Sequence, residues 1–194
     1  KGRALSDIGV EDIEKFFFEK EKSVSKVTAN RWLASVRACL QDAWRKEKIS
    51  SNPAMKIRPF PENPPKRRVL SDDEFKRVLK AIDDLYDVHV KAAFSLLIQT
   101  GARKSEVLNA RWVDFDLDER NWVIPSTKAG RPQIMPLPPE IVAMLERLPR
   151  LGPYVIPGRK EESPRADLKR PWKKIQEDAG IPDVNIHDLR RTFG

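Results

Sequence analysis

The sequence predicts a mainly α-helical protein with a small antiparallel β-sheet, divided into two domains. Apolar residues recur every three or four positions along most of the chain, as they do on the buried face of a helix. Between residues 113 and 137 the pattern changes to short runs separated by turn residues, which is typical of strands. Four prolines between residues 59 and 65 divide the chain, because proline cannot continue a helix or a central strand.

Composition favours a nucleic-acid partner. The 194 residues include 37 Lys and Arg against 29 Asp and Glu, a formal charge of +8 that favours a polyanion. The longest apolar stretch, residues 88–98, is too short to cross a bilayer, and the first 18 residues lack the apolar core of a secretory signal. We therefore expect no membrane association and a cytoplasmic protein.

The cysteine and histidine content points away from disulfides and metals. The single cysteine, Cys39, excludes an internal disulfide, and its place on an apolar helical stripe predicts a small buried side chain. Two histidines and one cysteine do not form a ligand cluster, so the sequence predicts neither a metal nor a cofactor.

The stretch of residues 59–69 is predicted to be an extended, basic linker. It separates a helical domain of residues 1–58 from a larger domain of residues 70–194. In the first domain, residues 10–17 form an amphipathic helix. A longer helix starts at its N-cap candidate Thr28 and ends near Ile49. Its predicted apolar stripe comprises Trp32, Leu33, Val36, Leu40, Ala43 and Trp44, and its off-stripe arginines are predicted to be solvated: Arg31, Arg37 and Arg45.

The second domain opens with a capping box, in which Ser71 and Glu74 satisfy each other's backbone N–H groups. The helix that follows is predicted to bury Phe75, Val78, Leu79 and Ile82. Residues 92–98 are apolar on nearly all sides, which predicts a central buried helix that Gly101 can end. A short helix spans residues 103–110. Three short strands then cover residues 113–117, 122–125 and 133–137, and helices cover residues 139–148, 167–179 and from His187 onward.

Four side chains have the chemistry needed to break a DNA backbone without a metal. The transition state carries negative charge that guanidinium groups neutralise well, and protons must reach the leaving oxygen and leave the nucleophile. Arg103 follows the central helix, Lys128 lies in the second turn of the sheet, and His187 and Arg190 share one helix face. Taken singly, each residue is better explained as a surface salt bridge, a solvated lysine or a helix cap.

The ordered set resembles the tyrosine recombinase, or phage integrase, family over nearly the whole chain. Residues 97–108 (LIQTGARKSEVL) resemble its first arginine motif, and residues 110–116 (ARWVDFD) resemble the segment leading into its sheet. Residues 127–131 (TKAGR) with 135–137 (MPL) resemble its catalytic lysine hairpin. Residues 187–193 (HDLRRTF) resemble its histidine–arginine motif. Thr28, Arg31, Trp32 and Asn52-Pro53 resemble its helical core-binding, SAM-like domain.

The resemblance implies a role for each matching position. Arg103 and Arg190 would clamp the scissile phosphate, Lys128 would protonate the leaving 5′ oxygen, and His187 would assist proton transfer. Glu106 would support Arg103, and Arg191, turned away from Arg190, would have a structural or backbone-contact role. The resemblance also implies a bacterial or phage-encoded protein that acts on the nucleoid. The implied partner is double-stranded DNA, and the implied DNA contacts are Lys26, Thr28, Arg31, Lys66, Arg67 and Arg68.

The family's nucleophilic tyrosine has no counterpart in this chain. Tyr86 is predicted to lie in the core or at its rim and Tyr154 to pack, so the catalytic domain is expected to be incomplete at its C-terminus. The family's core-binding domain usually has a further helix before residues 5–8, so the first domain is expected to be incomplete at its N-terminus. We expect a fragment of a strand-cleaving enzyme, itself inactive and monomeric, from a protein that forms homotetramers on DNA. The alternatives are a non-catalytic DNA-binding protein on this scaffold, a type IB topoisomerase or telomere resolvase, and a helical protein-interaction module.

Overall fold

Helices form most of the protein. The computed structural model describes residues 2–63, 68–125, 131–160 and 162–193. It divides into two compact units, Lys1–Lys66 and Arg67–Gly194, and the division falls inside the predicted linker. The first unit contains α1 (Val10–Glu21), α2 (Lys26–Arg45) and two short 3-10 turns, Leu5–Asp7 and Pro53–Lys56.

The second unit is a helical domain with a small sheet, as the sequence predicted. Its elements in chain order are α3 (Asp72–Asp83), α4 (Val88–Thr100), α5 (Lys104–Leu108), a 3-10 turn (Trp112–Asp114), β1 (Phe115–Asp116), β2 (Asn121–Ile124), β3 (Gln133–Pro136), α6 (Pro139–Arg147), α7 (Lys169–Ala179) and α8 (Ile186–Phe193). Among the described residues, no helix has the length and apolar character needed to span a membrane.

The first unit folds around the inner faces of α1 and α2. Its buried core consists of Ile13, Phe17, Ala29, Leu33, Leu40, Ala54 and Ile57. The N-cap of α2 is Ser25, whose hydroxyl accepts the Thr28 backbone N–H at 3.2 Å, so the prediction of Thr28 as the cap was wrong by three residues. A side-chain oxygen can reach the free N–H groups of the first turn only from a residue outside the helix, and Thr28 already lies inside it.

Arg37 is not the solvated residue that its place off the apolar stripe predicted. Its Nε donates to the Ala54 carbonyl at 3.0 Å, and a second guanidinium nitrogen donates to the Ile57 carbonyl. Asn52 returns a bond from Nδ2 to the Arg37 carbonyl at 3.0 Å. The turn of residues 53–56 is thereby fastened to the middle of α2 by charge-assisted hydrogen bonds.

The packing of the first unit continues past the predicted boundary at residue 58. The Phe60 ring stacks on Phe17 with centroids 4.5 Å apart. Its backbone N–H donates to Asn30 Oδ1 at 2.8 Å, and Asn30 Nδ2 donates to the Phe60 carbonyl at 2.9 Å. Phe60, counted as linker from the prolines around it, is therefore a packed residue of this unit.

Four predicted packing positions are exposed instead. Cys39 is exposed, and Trp44 and Leu79 lie on outer helix faces with 47% and 39% of their surface accessible. Tyr86 is fully exposed. Each helical error has the same cause: adjacent residues differ by about 100° around a helix, and the buried stripes of α2 and α3 are narrower than the sequence pattern suggested.

The centre of the second unit is α4. Residues 92–94 and 96–98 are buried, which confirms the predicted core helix. It contacts α3, α5, α6 and α8, while α7 packs on α3. Gly101 ends α4 with a left-handed φ of 62°, a conformation that favours glycine, and α5 starts three residues later.

The sheet has the antiparallel order β1-β2-β3. Phe115 pairs with Trp122, and Trp122 pairs with Met135 on the other side. The inner face buries Trp122 and Ile124, and the Phe115 ring stacks on Trp122 at a centroid distance of 5.3 Å. Lys128, predicted to lie in the turn between β2 and β3, lies outside the described residues.

Removing the Arg37 guanidinium should destabilise the first unit. In Arg37→Met the aliphatic stem remains, but the carbonyls of Ala54 and Ile57, both in buried residues, lose their donors. We expect a loss of about 2 kcal/mol in the free energy of unfolding, measured by urea denaturation with tryptophan fluorescence. Arg45→Met, at the exposed end of the same helix, should change it by less than about 0.5 kcal/mol. Equal effects of the two changes would contradict the role of Arg37.

Acid should destabilise the second unit through Glu74. The Arg68 guanidinium and the Ser71 backbone N–H lower the pKa of Glu74 from its ordinary 4.5 to about 2. A carboxyl group whose pKa is lower in the folded state stabilises it above the unfolded pKa, and this stabilisation is lost as pH falls through the folded pKa. Between pH 4.5 and 2, the melting temperature should therefore fall less steeply in Glu74→Gln than in the parent. Glu140→Gln, at the exposed start of α6, should leave the slope unchanged.

Candidate catalytic site

A basic cleft in the second unit brings together three of the four predicted catalytic residues. Arg103 lines it from the junction of α4 and α5, and His187 and Arg190 line it from α8. The cleft has a volume of about 730 Å³, and none of its described lining residues has a carboxylate. Three lysines that the sequence reasoning did not select also line it: Lys104, Lys169 and Lys173.

Arg103 is held at the start of α5 by the way α4 ends. The buried Thr100 hydroxyl donates to the Leu96 carbonyl at 2.6 Å and accepts the Ala102 N–H at 3.2 Å, which fixes the turn after Gly101. Glu106 then binds Arg103 twice, accepting its backbone N–H at 2.7 Å and its Nη1 at 2.5 Å. Glu106 has only 9% of its side chain exposed, so this ion pair is shielded and orients the guanidinium.

His187 and Arg190 face the cleft because their neighbours on α8 face the core. Asp188 and Leu189 are 2% and 1% exposed. Asp188 Oδ2 accepts the Asn185 backbone N–H at 2.9 Å, just before the helix, and its Oδ1 accepts Arg191 Nη1 at 2.5 Å. His187 and Arg190 flank this inward pair three residues apart, so both side chains lie on the face of α8 that lines the cleft.

Charge pairing distinguishes the two consecutive arginines of α8. Arg191 neutralises the buried Asp188, in keeping with the structural role expected of it. The described contacts give the Arg190 guanidinium no hydrogen bond or ion pair, although it is half-buried in the cleft wall. A guanidinium in this position is free to bind an anion with two parallel N–H bonds.

Asp167 lies next to the cleft and forms ion pairs with two of the cleft lysines. Burial raises the pKa of Asp167, but hydrogen bonds from the Leu168 backbone and the Lys104 ammonium outweigh it and hold this pKa below the ordinary value. Lys104 Nζ lies 3.3 Å from Oδ1 of Asp167, and Lys169 Nζ lies 3.5 Å from Oδ2. The lysines could have been found in the sequence, because Lys104 follows Arg103 directly and Lys169 and Lys173 are one helical turn apart.

Four of the six residues predicted to contact DNA are described, and they differ in exposure and in their partners. Lys66 and Arg67, like Lys128, lie outside the described residues. In the first unit, Lys26 is exposed with its Nζ 5.9 Å from the Phe60 ring centroid, Arg31 is exposed, and the Thr28 hydroxyl bonds Ser25 Oγ at 2.9 Å. Arg68 is already engaged within the second unit, by Glu74 and Asp183.

Neither tyrosine lies among the described residues of the cleft. Tyr154 is half-buried, forms an isolated backbone bridge with Arg111, and packs under the Arg111 guanidinium at 5.4 Å from its ring centroid. It packs as predicted. Tyr86 is fully exposed and was wrongly predicted to lie in the core or at its rim. It lies in the turn just before α4, where its side chain has no helix face to pack on.

The fold is shared with solved structures of integrases. The sequence profile of the phage integrase family matches residues 68–194, more than half of the chain. The chain belongs to the phage integrase family, whose members cleave and rejoin DNA.

Individual proteins agree with this assignment. A putative integrase/recombinase of Haemophilus influenzae is 25% identical over 208 residues, which cover 97% of this chain and 54% of that protein. A tyrosine recombinase of Thermosipho africanus is 24% identical over 208 residues, covering 99% and 71%. The crystal structure of a lambda integrase tetramer bound to a Holliday junction has the same fold, with a TM-score of 0.70, 16% identity and coverage of 97% and 57%. The chain thus spans about half the length of the Haemophilus relative.

Replacing each of the two consecutive arginines of α8 should change the stability of the protein by different amounts. Arg191→Ala leaves the buried Asp188 carboxylate without its cation, so the free energy of unfolding should fall by about 2 kcal/mol. Arg190→Ala should change it by less than about 0.5 kcal/mol. Urea denaturation followed by circular dichroism measures both. If Arg190→Ala were the more destabilising change, the division of roles between these arginines would be wrong.

Proposed function

We propose that this chain is the core-binding and catalytic part of a site-specific DNA recombinase that cleaves and rejoins duplex DNA through a 3′-phosphotyrosyl intermediate. The observation that carries the proposal is the convergence of Arg103, His187 and Arg190 on one cleft without carboxylates among its described lining residues. Three lysines line the same cleft, so a phosphodiester would meet only positive or neutral groups there.

In the proposed reaction the phosphate is held by two guanidinium groups of different character. Arg103 keeps one nitrogen on Glu106 and has its other donors for the non-bridging oxygens. Arg190 has all five donors, since the described contacts occupy none of them. The pair neutralises the charge that grows on the pentavalent phosphorus, and Arg103, which Glu106 already orients, needs little reorganisation during the reaction.

The bonds and protons balance without a cofactor. A tyrosine hydroxyl attacks phosphorus, forming a phosphotyrosyl ester as the bond to the 5′ oxygen breaks. The phenolic proton leaves with the help of His187, and Lys128 gives a proton to the departing 5′ oxygen, which becomes a 5′ hydroxyl. Rejoining reverses these steps with a 5′ hydroxyl from another strand. The ester conserves the energy of the broken bond, so no nucleotide is consumed.

The nucleophile is proposed to lie in a segment that follows Gly194 in the full-length protein. Tyr86 and Tyr154 are the only tyrosines of the chain, and neither is among the described cleft residues. The longer relatives leave room for such a segment. The 194-residue chain alone is then proposed to bind duplex DNA as a monomer without cleaving it. The full-length protein would form a homotetramer on DNA, as lambda integrase does on a Holliday junction. It would act on the DNA of the nucleoid.

Covalent trapping on a nicked suicide duplex tests the proposal. The full-length protein should form a denaturation-resistant protein–DNA adduct, and the 194-residue chain should not. Arg190→Ala should reduce the rate of adduct formation by about 100-fold or more, because it removes a donor set aimed at the transition-state charge. Arg147→Ala, on α6 and away from this cleft, is the control and should keep the parent rate.

Fluorescence anisotropy of the 194-residue chain with a labelled duplex separates the alternatives. Affinity that falls steeply with salt, together with no adduct from the full-length protein, would leave a DNA-binding protein without catalysis. Absence of salt-dependent binding would remove the DNA role altogether. An adduct formed by the short chain would place the nucleophile on Tyr86 or Tyr154.

A further inference from the structure

The first described residues of the second unit hold α8 at both of its ends. Arg68 Nε donates to Asp183 Oδ2 at 3.0 Å, and Asp183 lies in the short segment between α7 and α8. Two residues on, the Leu70 backbone N–H donates to Thr192 Oγ1 at 3.2 Å, in the last turn of α8. We call Arg68, Leu70, Asp183 and Thr192 the α8 clasp.

Each guanidinium nitrogen of Arg68 already has a partner within the second unit. Besides Nε on Asp183, its Nη1 donates to the Val69 carbonyl at 2.8 Å and its Nη2 pairs with the Glu74 carboxylate. The side chain is only 30% exposed and crosses from the start of α3 to the segment before α8. Arg190, by contrast, has no described partner for its guanidinium.

Thr192 connects the clasp to the hydrogen bonds of Asp188, the residue that follows His187 on α8. Thr192 Oγ1 donates to the Asp188 carbonyl at 3.0 Å while it accepts the Leu70 N–H. Asp188 is the buried residue between His187 and Arg190 whose carboxylate binds Asn185 and Arg191. The segment that carries Asp183 is also held from behind, because Trp172 Nε1 donates to the Val184 carbonyl at 3.1 Å.

We propose that Arg68, Asp183 and Thr192 are positioning residues for DNA cleavage, which hold α8 so that His187 and Arg190 stand in register with Arg103. The inference rests on the proposed function and replaces the earlier expectation that Arg68 contacts DNA. Arg103 belongs to the α4–α5 junction and the other two residues to α8, so the site is assembled from two elements. A displacement of α8 by a fraction of an ångström would misalign the guanidinium groups.

A double-mutant cycle in the full-length protein tests the inference. Arg68→Met and Asp183→Asn should each slow single-turnover adduct formation on the suicide duplex by about 10-fold, and the double variant should be no slower than Arg68→Met, because both changes remove the Arg68–Asp183 contact. Affinity for an intact duplex should stay within about 2-fold of the parent. Asp178→Asn, which breaks the comparable surface pair with Lys174 at 2.9 Å on α7, is the matched control and should change neither quantity.

Thr192→Val gives a second, independent arm. It keeps the side-chain volume and removes both hydroxyl bonds, so cleavage should slow while duplex affinity remains near the parent value. Arg68→Lys, which can keep one of the two ion pairs, should recover part of the rate lost in Arg68→Met.

The outcomes separate this inference from the proposed function. If the parent protein forms no adduct, the recombinase proposal fails, and the positioning role fails with it. If the parent cleaves and the clasp variants cleave at its rate, only the positioning role is wrong. If Arg68→Met instead weakens duplex binding and lowers the salt slope by about one, while Asp183→Asn does not, Arg68 is a phosphate contact. If rate, affinity and melting temperature all fall together, the clasp only stabilises the fold.

Discussion

The buried helix α4 is the constraint on which the catalytic domain depends. Because it is apolar on nearly every side, it must be covered all round, and α3, α5, α6 and α8 cover it. Its end at Gly101 sets where Arg103 emerges, and α8 lies along it with Asp188 and Leu189 turned inward. Two distant parts of the sequence thus contribute cations to one cleft because both pack on the same core element.

Carboxylates and backbone carbonyls bind several cations of this basic chain and so give them structural roles, while other cations stay available for a ligand. Asp188 engages Arg191, Glu74 and Asp183 engage Arg68, and the carbonyls of Ala54 and Ile57 engage Arg37. Arg103 is divided, with one edge oriented by the shielded Glu106. What remains without a described partner at the cleft is Arg190, where an unpaired guanidinium is most useful for binding phosphate.

The family assignment and most of the secondary structure could be predicted from local patterns. The capping box of Ser71 and Glu74, the left-handed end of α4 at Gly101 and the three-stranded order of the sheet follow from signals within a few residues. Three of the errors arose where a helix face had to be chosen. Cys39, Trp44 and Leu79 lie one residue from a buried position, and a rotation of about 100° moves them into solvent.

The sequence by itself determined which residues have the chemistry for phosphate transfer, because motif order and helical spacing are encoded locally. Arg103, His187 and Arg190 were chosen on that basis, and their roles remain predictions. Only the tertiary structure decided which cations form structural ion pairs. The carboxylate partners of Arg68, Glu74 and Asp183, lie 6 and 115 residues away in the sequence. Ion pairs of that kind depend on which helices pack together, and one-dimensional patterns carry no information about distances between segments far apart in the chain.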